Sequence, residues 1–125
     1  MRLLLDTHIF IWASTKPSRL SKAAHSVIES GDNAIYVSAA TAREIAIKVA
    51  VARLNFRLDR FDEMLSAQNF APLDMTVPHG MAAGSLPRHH SDPFDRMSIA
   101  QARIEGPTIF TADRAFDRYD ARLPG

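Results

Sequence analysis

Short apolar runs alternate with amphipathic stretches along the whole chain. Leu3-Leu4-Leu5 is apolar at every position, the pattern of a strand covered on both faces of a parallel sheet. Ile9, Phe10, Ile11 and Trp12 then predict a mostly buried helix, with Thr7 placed to cap it ahead of His8 and Lys16-Pro17-Ser18 to break it. Ser21 to Ser30 carries Ala24, Val27 and Ile28 on one helical face and stops at Gly31. Ala34 to Val37 reads as a second strand. Ser38 or Thr41 opens a helix from about Ala42 to Ala52, with Ile45, Val49 and Ala52 at helical spacing. A further amphipathic helix spans roughly Leu58 to Gln68, followed by a short strand from Phe70 to Leu73 and a helix from Val77 to Ala83. Beyond the polar loop Leu86–Pro93, Phe94 to Glu105 is helical and Gly106-Pro107 ends it. Thr108 to Phe110 is a strand, Arg114 to Tyr119 a short helix, and Ala121-Arg122-Leu123 closes the chain.

Strands that alternate with helices imply an α/β fold: three layers, α/β/α, around a mainly parallel sheet of roughly five strands. No repeat, low-complexity tract or long linker divides the chain, so residues 1–125 are expected to form one domain. Its 125 residues suffice for a core without staples. There is no cysteine, which excludes disulfides, thiolate zinc sites and a cysteine nucleophile, and fits a reducing cytoplasm. No apolar run approaches the roughly 18 residues of a membrane span. Met1-Arg2-Leu3-Leu4-Leu5 meets an aspartate too soon for a signal peptide.

The candidate chemistry lies in four carboxylates at the edges of these elements. Asp6 ends the first strand, Glu44 stands near a helix start, Asp95 opens the helix containing Met97 and Ile99, and Asp113 follows Thr108-Ile109-Phe110 by three residues. Each has a local explanation: a helix cap for Asp6 or Asp113, a favourable dipole for Glu44, an arginine partner such as Arg96 for Asp95. Together they point elsewhere, because ligands of open α/β sheets gather beyond the carboxyl ends of the strands. Four carboxylates converging there need a cation, and an all-oxygen set suits Mg²⁺ or Mn²⁺, one ion or two. Setting those four aside leaves 15 basic against 10 acidic side chains, a mildly basic remainder suited to a polyanion.

Around this set, Asp92 is a fifth candidate, whose place before Pro93 suits an N-cap for the following helix ahead of direct ligation. Thr111 is positioned to hold a metal-bound water or to shape the strand-to-helix turn. His8 is read as a half-buried helix residue that lines the site at most, and His89-His90 as a loop contact for phosphate or backbone rather than a zinc pair. Phe10, Trp12 and Phe94 are expected in the core, with an exposed aromatic near the metals able to stack on a base.

The segments Leu3-Leu4-Leu5-Asp6-Thr7-His8, Val37-Ser38-Ala39-Ala40 with Glu44-Ile45-Ala46-Ile47-Lys48, His89-His90-Ser91-Asp92-Pro93-Phe94-Asp95-Arg96-Met97, and Thr111-Ala112-Asp113-Arg114-Ala115-Phe116 closely resemble those of PIN-domain ribonucleases. The resemblance is nearest to the VapC-like toxins of bacterial type II toxin–antitoxin systems and runs almost end to end. It implies a PIN-like fold and an endoribonuclease toxin that cleaves RNA phosphodiesters through metal-activated water. Asp6, Glu44, Asp95 and Asp113 would be its Mg²⁺- or Mn²⁺-binding catalytic acids, with Thr111, His8, Ser38 and Arg96 in support. The distance to Thr111-Ala112-Asp113 favours Asp95 over Asp92. The resemblance further implies a cognate antitoxin that covers the acidic pocket, and a homodimer. Two departures, Arg43 where this branch often carries an aromatic and the less apolar end Leu123-Pro124-Gly125, touch no ligand position.

Two other function classes compete. A PIN-like module could bind nucleic acid or a protein partner without catalysis. A receiver-type phosphoacceptor domain shares the length and the alternation, but it requires an acidic pair after the first strand and a late lysine. Here Thr7 follows Asp6, and no lysine lies beyond Lys48.

Overall fold

The computed structural model describes residues 1–87 and 92–111, together with the backbone of the strand 122–124. Its elements run β1 (Arg2–Leu5), α1 (Thr7–Thr15), α2 (Lys22–Glu29), β2 (Ala34–Ser38), α3 (Ala39–Ala50), α4 (Phe61–Ala67), β3 (Ala71–Leu73), α5 (Val77–Ser85), α6 (Pro93–Glu105), β4 (Thr108–Thr111) and β5 (Arg122–Pro124). The five strands form one sheet in the order β3-β2-β1-β4-β5, and every pairing is parallel. The α/β fold with a five-stranded parallel sheet is therefore as the sequence predicts. A receiver-type sheet has the order 2-1-3-4-5, so the strand order separates this chain from that class.

Leu3-Leu4-Leu5 explains the layering. Successive side chains of a strand point to opposite faces. Leu3 and Leu5 join Ile9, Phe10, Ala24, Ile45 and Leu65 in one core, under helices α1 to α4. Leu4 joins Leu86, Ile99, Ala102 and Ile109 in a second core, under α6. All three leucines are fully buried. The larger core also stacks Phe10 against Phe56, Phe61 and Phe70 at centroid separations of 5.1–6.3 Å.

Helix boundaries follow local chemistry where the signals are strong. Ser21 caps α2 by accepting from the Ala24 amide. Asp92 caps α6 by accepting from the amides of Phe94 and Asp95, Pro93 occupies the first turn, and Gly106 ends the helix at φ 94°. Two starts differ from expectation. Residue Asp6, not Thr7, holds the N-cap position of α1, and the Thr7 hydroxyl is committed to tertiary partners instead. Helix α3 begins at Ala39, three residues early, because the Ser38 hydroxyl accepts from the Ala40 amide directly at the strand end. The expected helix Arg114–Tyr119 lies outside the described residues.

A carboxylate pair at the switch point of the sheet

From β1 the chain builds outward through β2 and β3, then returns to the other side of β1 for β4 and β5. The order therefore reverses between β1 and β4, and the crevice beyond their carboxyl ends is where such sheets bind ligands. Asp6 and Thr111 stand there. The Asp6 amide donates to the Phe110 carbonyl at 3.0 Å, stitching the two strand ends together. The Thr111 hydroxyl donates to Asp6 Oδ2 at 3.0 Å, and both residues are buried. Asp6 makes no side-chain cap bond to α1, so its carboxylate is not used as a helix cap. Burial pushes the carboxyl above the ordinary aspartate value of 3.8, and the nearby charge of Glu44 adds to the rise. The Thr111 hydrogen bond, His8 and the Thr7 amide oppose it.

Glu44 projects from the second turn of α3 and is buried, with both oxygens engaged. Thr7 Oγ1 donates to Oε1 at 2.9 Å and Lys48 Nζ to Oε2 at 2.7 Å. Thr7 has one hydroxyl proton and spends it on Glu44, so Thr41, whose hydroxyl lies 3.0 Å away, donates to Thr7. The result is a relay from α3 through α1 back to α3 that fixes one Glu44 oxygen. Lys48, at i+4 and half-exposed, offsets the charge on the other.

The remaining residues divide. Asp95 sits half-buried in the first turn of α6. Gln101, six residues further along, marks the level of the sheet edge: it is fully buried, accepts from the Ser38 hydroxyl at 2.5 Å and donates to the Asp74 carbonyl just past β3. Asp95 precedes Gln101 on α6 by six residues, about 9 Å along the helix axis. Asp6 and Glu44 are sunk at the edge, and among the described residues no three acids or histidines stand close enough to hold a metal. Of the four acids, Asp6 and Glu44 are close enough for the charge of one to act on the other. Asp113, His89 and His90 lie outside the described residues. Two buried carboxylates, with a lysine on only one of them, still have the chemistry of a hard-cation site.

Among the other candidates, the helix caps at Ser38 and Asp92 and the core place of Phe10 are as expected, and His8 is not. His8 is exposed rather than half-buried, with Nδ1 3.9 Å from Asp6 Oδ2, because it points away from the apolar face of α1. Ser38 caps α3 and binds Gln101, which makes it a structural tie across the sheet edge. Arg96 donates to the carbonyls of Ala83, Leu86 and Pro87, fastening the end of α5 to α6. Asp92 Oδ1 is the α6 cap. Phe10 is fully buried, whereas Trp12 and Phe94 are half-buried.

Sequence reasoning missed Thr7, Thr41, Lys48 and Gln101. Lys48 was findable, since a lysine four residues after a glutamate on a helix is a pairing signal. Thr7 and Thr41 have no local signature for their joint role. Gln101 shows only as a polar residue inside the run Ile99-Ala100-Gln101-Ala102.

Comparison with known proteins agrees with this architecture. The PIN domain family model matches residues 3–122. Ribonuclease VapC22 of Mycobacterium tuberculosis is 31% identical over 114 residues, spanning 90% of this chain and 87% of that protein. Among solved structures, VapBC2 from Rickettsia felis bound to a promoter DNA fragment superposes with a TM-score of 0.73 at 17% identity, covering 100% of this chain and 98% of that one. A toxin–antitoxin complex from Klebsiella pneumoniae gives 0.66 at 18% identity, covering 97% and 95%. The chain belongs to the PIN domain family.

Proposed function

We propose that this chain is a Mg²⁺- or Mn²⁺-dependent endoribonuclease and the toxin of a toxin–antitoxin pair. The observation that carries the reading is the Asp6 carboxylate, buried at the switch point between β1 and β4, held by Thr111 and raised above its ordinary pKa. A structural aspartate in that position would cap α1; this one does not. Asp6, Glu44, Asp95 and Asp113 are the residues that would hold the ion. When bound, the metal supplies charge stabilisation at the phosphoryl group and lowers the pKa of water.

The protein's own part is placement. Thr111 fixes the orientation of Asp6, the Thr41–Thr7 relay fixes Glu44, and Gln101 with Ser38 sets α6, and with it Asp95, against the edge where β2 ends. In-line attack by water on an RNA phosphodiester would leave a 5′-phosphate and a 3′-hydroxyl. RNA as the substrate is supported by the ribonuclease relative. The antitoxin partner is supported by solved relatives that are toxin–antitoxin complexes. Homodimerisation is supported by the exposed apolar side chains Val77 and Met81, one turn apart on the same face of α5. No helix among the described residues is long and apolar enough to cross a membrane.

The deciding experiment is cleavage of a mixed RNA pool by purified protein. Cutting is expected with Mg²⁺ or Mn²⁺ and is expected to cease in excess EDTA. Wild-type activity that persists in EDTA would remove the metal from the reading; no cleavage with either ion would favour a binding module.

This face of α5 makes a separate prediction. Val77→Asp combined with Met81→Glu should shift the protein from dimer to monomer in light-scattering chromatography while leaving its circular dichroism unchanged. An unaltered mass would remove this face from the dimer.

A further inference from the structure

Beside the carboxylate pair lies a groove of about 560 Å³ between α1, the Pro17–Arg19 turn and the end of α3. Its lining includes Lys16, Arg19, Lys48 and Arg53 but no aspartate or glutamate. Two other exposed arginines are compensated, Arg57 by Asp59 at 2.7 Å and Arg60 by Glu63 at 3.3 Å, and the clustering of cations in one cleft is what sets this groove apart. Among the described residues Lys16, Arg19 and Arg53 have no carboxylate within ion-pair distance, so three uncompensated cations face one cleft. The groove adjoins the carboxylates through two of its lining residues. Lys48 in its wall touches Glu44 at 2.7 Å, and His8 in its wall is 3.9 Å from Asp6.

Its cations are also held in place. The Arg19 guanidinium lies over the Trp12 ring, 5.3 Å from the centroid, which restrains a side chain that would otherwise sweep through solvent. Trp12 in turn is braced against the larger core. Arg53 is fixed through its backbone, its amide donating to the Lys48 carbonyl at 2.8 Å. That turn passes through Ala52 at φ 59°, a left-handed conformation costly for alanine. The strained reversal brings Arg53 back toward Lys48.

We propose that this groove is the subsite for the single-stranded RNA flanking the scissile phosphate, with Arg19, Arg53 and Lys16 on successive phosphates and the exposed His8 ring beside a base. The proposal rests on the nuclease reading and adds where the substrate runs. His8 suits that place: it is exposed in the groove wall, 6.0 Å from the Trp12 ring, and stacking on an aromatic ring tolerates any base.

The test compares wild type with Arg19→Ala plus Arg53→Ala, both exposed positions. Arg2→Ala, at the opposite edge of the sheet, is the control. A short labelled single-stranded RNA is the probe. In Mg²⁺ the double variant should raise KM about tenfold or more with little change in kcat. In EDTA, where nothing is cut, its binding should lose salt dependence by a slope of about 1.4, two contacts at about 0.7 each. The control should match wild type in both. Unchanged KM and slope in the double variant would overturn the proposal. So would a variant that handles RNA normally but no longer binds its antitoxin, since the groove would then be a protein-docking surface. The binding arm needs no turnover, so a failure of the nuclease reading shows as absent wild-type cleavage and is told apart from a failure of the groove.

Discussion

Asp6→Asn is expected to lower cleavage by about a thousandfold or more, equivalent to about 4 kcal/mol of transition-state stabilisation, while the fold survives. The same change should make the protein more stable at neutral pH in EDTA. Burial raises the Asp6 carboxyl above 3.8, so the folded chain binds that proton more tightly than the unfolded chain does. The stability linked to this group is complete below the ordinary aspartate value and is lost as pH rises through the displaced one. Asparagine keeps the shape and a partner for Thr111 but carries no charge to desolvate. Melting curves of wild type in EDTA should therefore fall from about pH 4 upward relative to the variant. A difference of about 1 kcal/mol would appear as about 4 °C in a chain of this length. Added Mg²⁺ should raise the midpoint of wild type and leave the variant unmoved. A variant that melts below wild type at pH 7 would mean that Asp6 is a structural anion stabilised by the fold, and the site assignment would fail with it.

The same contrast marks what could be read from the chain. Local signals were legible. Leu3-Leu4-Leu5 announces a strand covered on both faces, and two cores do cover it. Asp92, Pro93 and Gly106 announce both ends of α6. The start of α3 was less legible, since Ser38 and Thr41 are both capping residues and only the position of the strand end decides between them. Tertiary commitments were invisible. The partner of Thr111 is 105 positions away, that of Ser38 is 63 away and that of Thr7 is 37 away, and no periodicity encodes such pairs. The alternation of elements implied a parallel sheet but not the order that sets β4 beside β1, and that order is what joins Asp6 to Thr111. The carboxylates could be placed on one sheet edge from the pattern alone; only the family resemblance chose among them. The structure then showed that one oxygen of the buried Glu44 carboxylate is already matched to Lys48.

That match sets up the second large effect. Glu44→Gln is expected to reduce cleavage at least about a hundredfold, since even groups that merely orient a metal ligand cost about 10–100-fold when lost. The rival explanation is that Glu44 exists only to pair with Lys48, and a double-mutant cycle separates the two. Lys48→Met leaves a buried carboxylate with only Thr7 as a donor, and should cost about 1–3 kcal/mol of stability. Glu44→Gln leaves a half-exposed ammonium that water can serve, and should cost less. With both changed, neither penalty remains in full, so denaturant melts should show a favourable coupling of about 1 kcal/mol. Activity should not follow stability. The double variant should fold like wild type and still fail to cut, while Lys48→Met alone should need less Mg²⁺ for half-maximal cleavage, because an ammonium that competes for Glu44 has gone. Recovery of cleavage in the double variant would reduce Glu44 to a structural counter-ion and leave Asp6 without its nearest acidic partner.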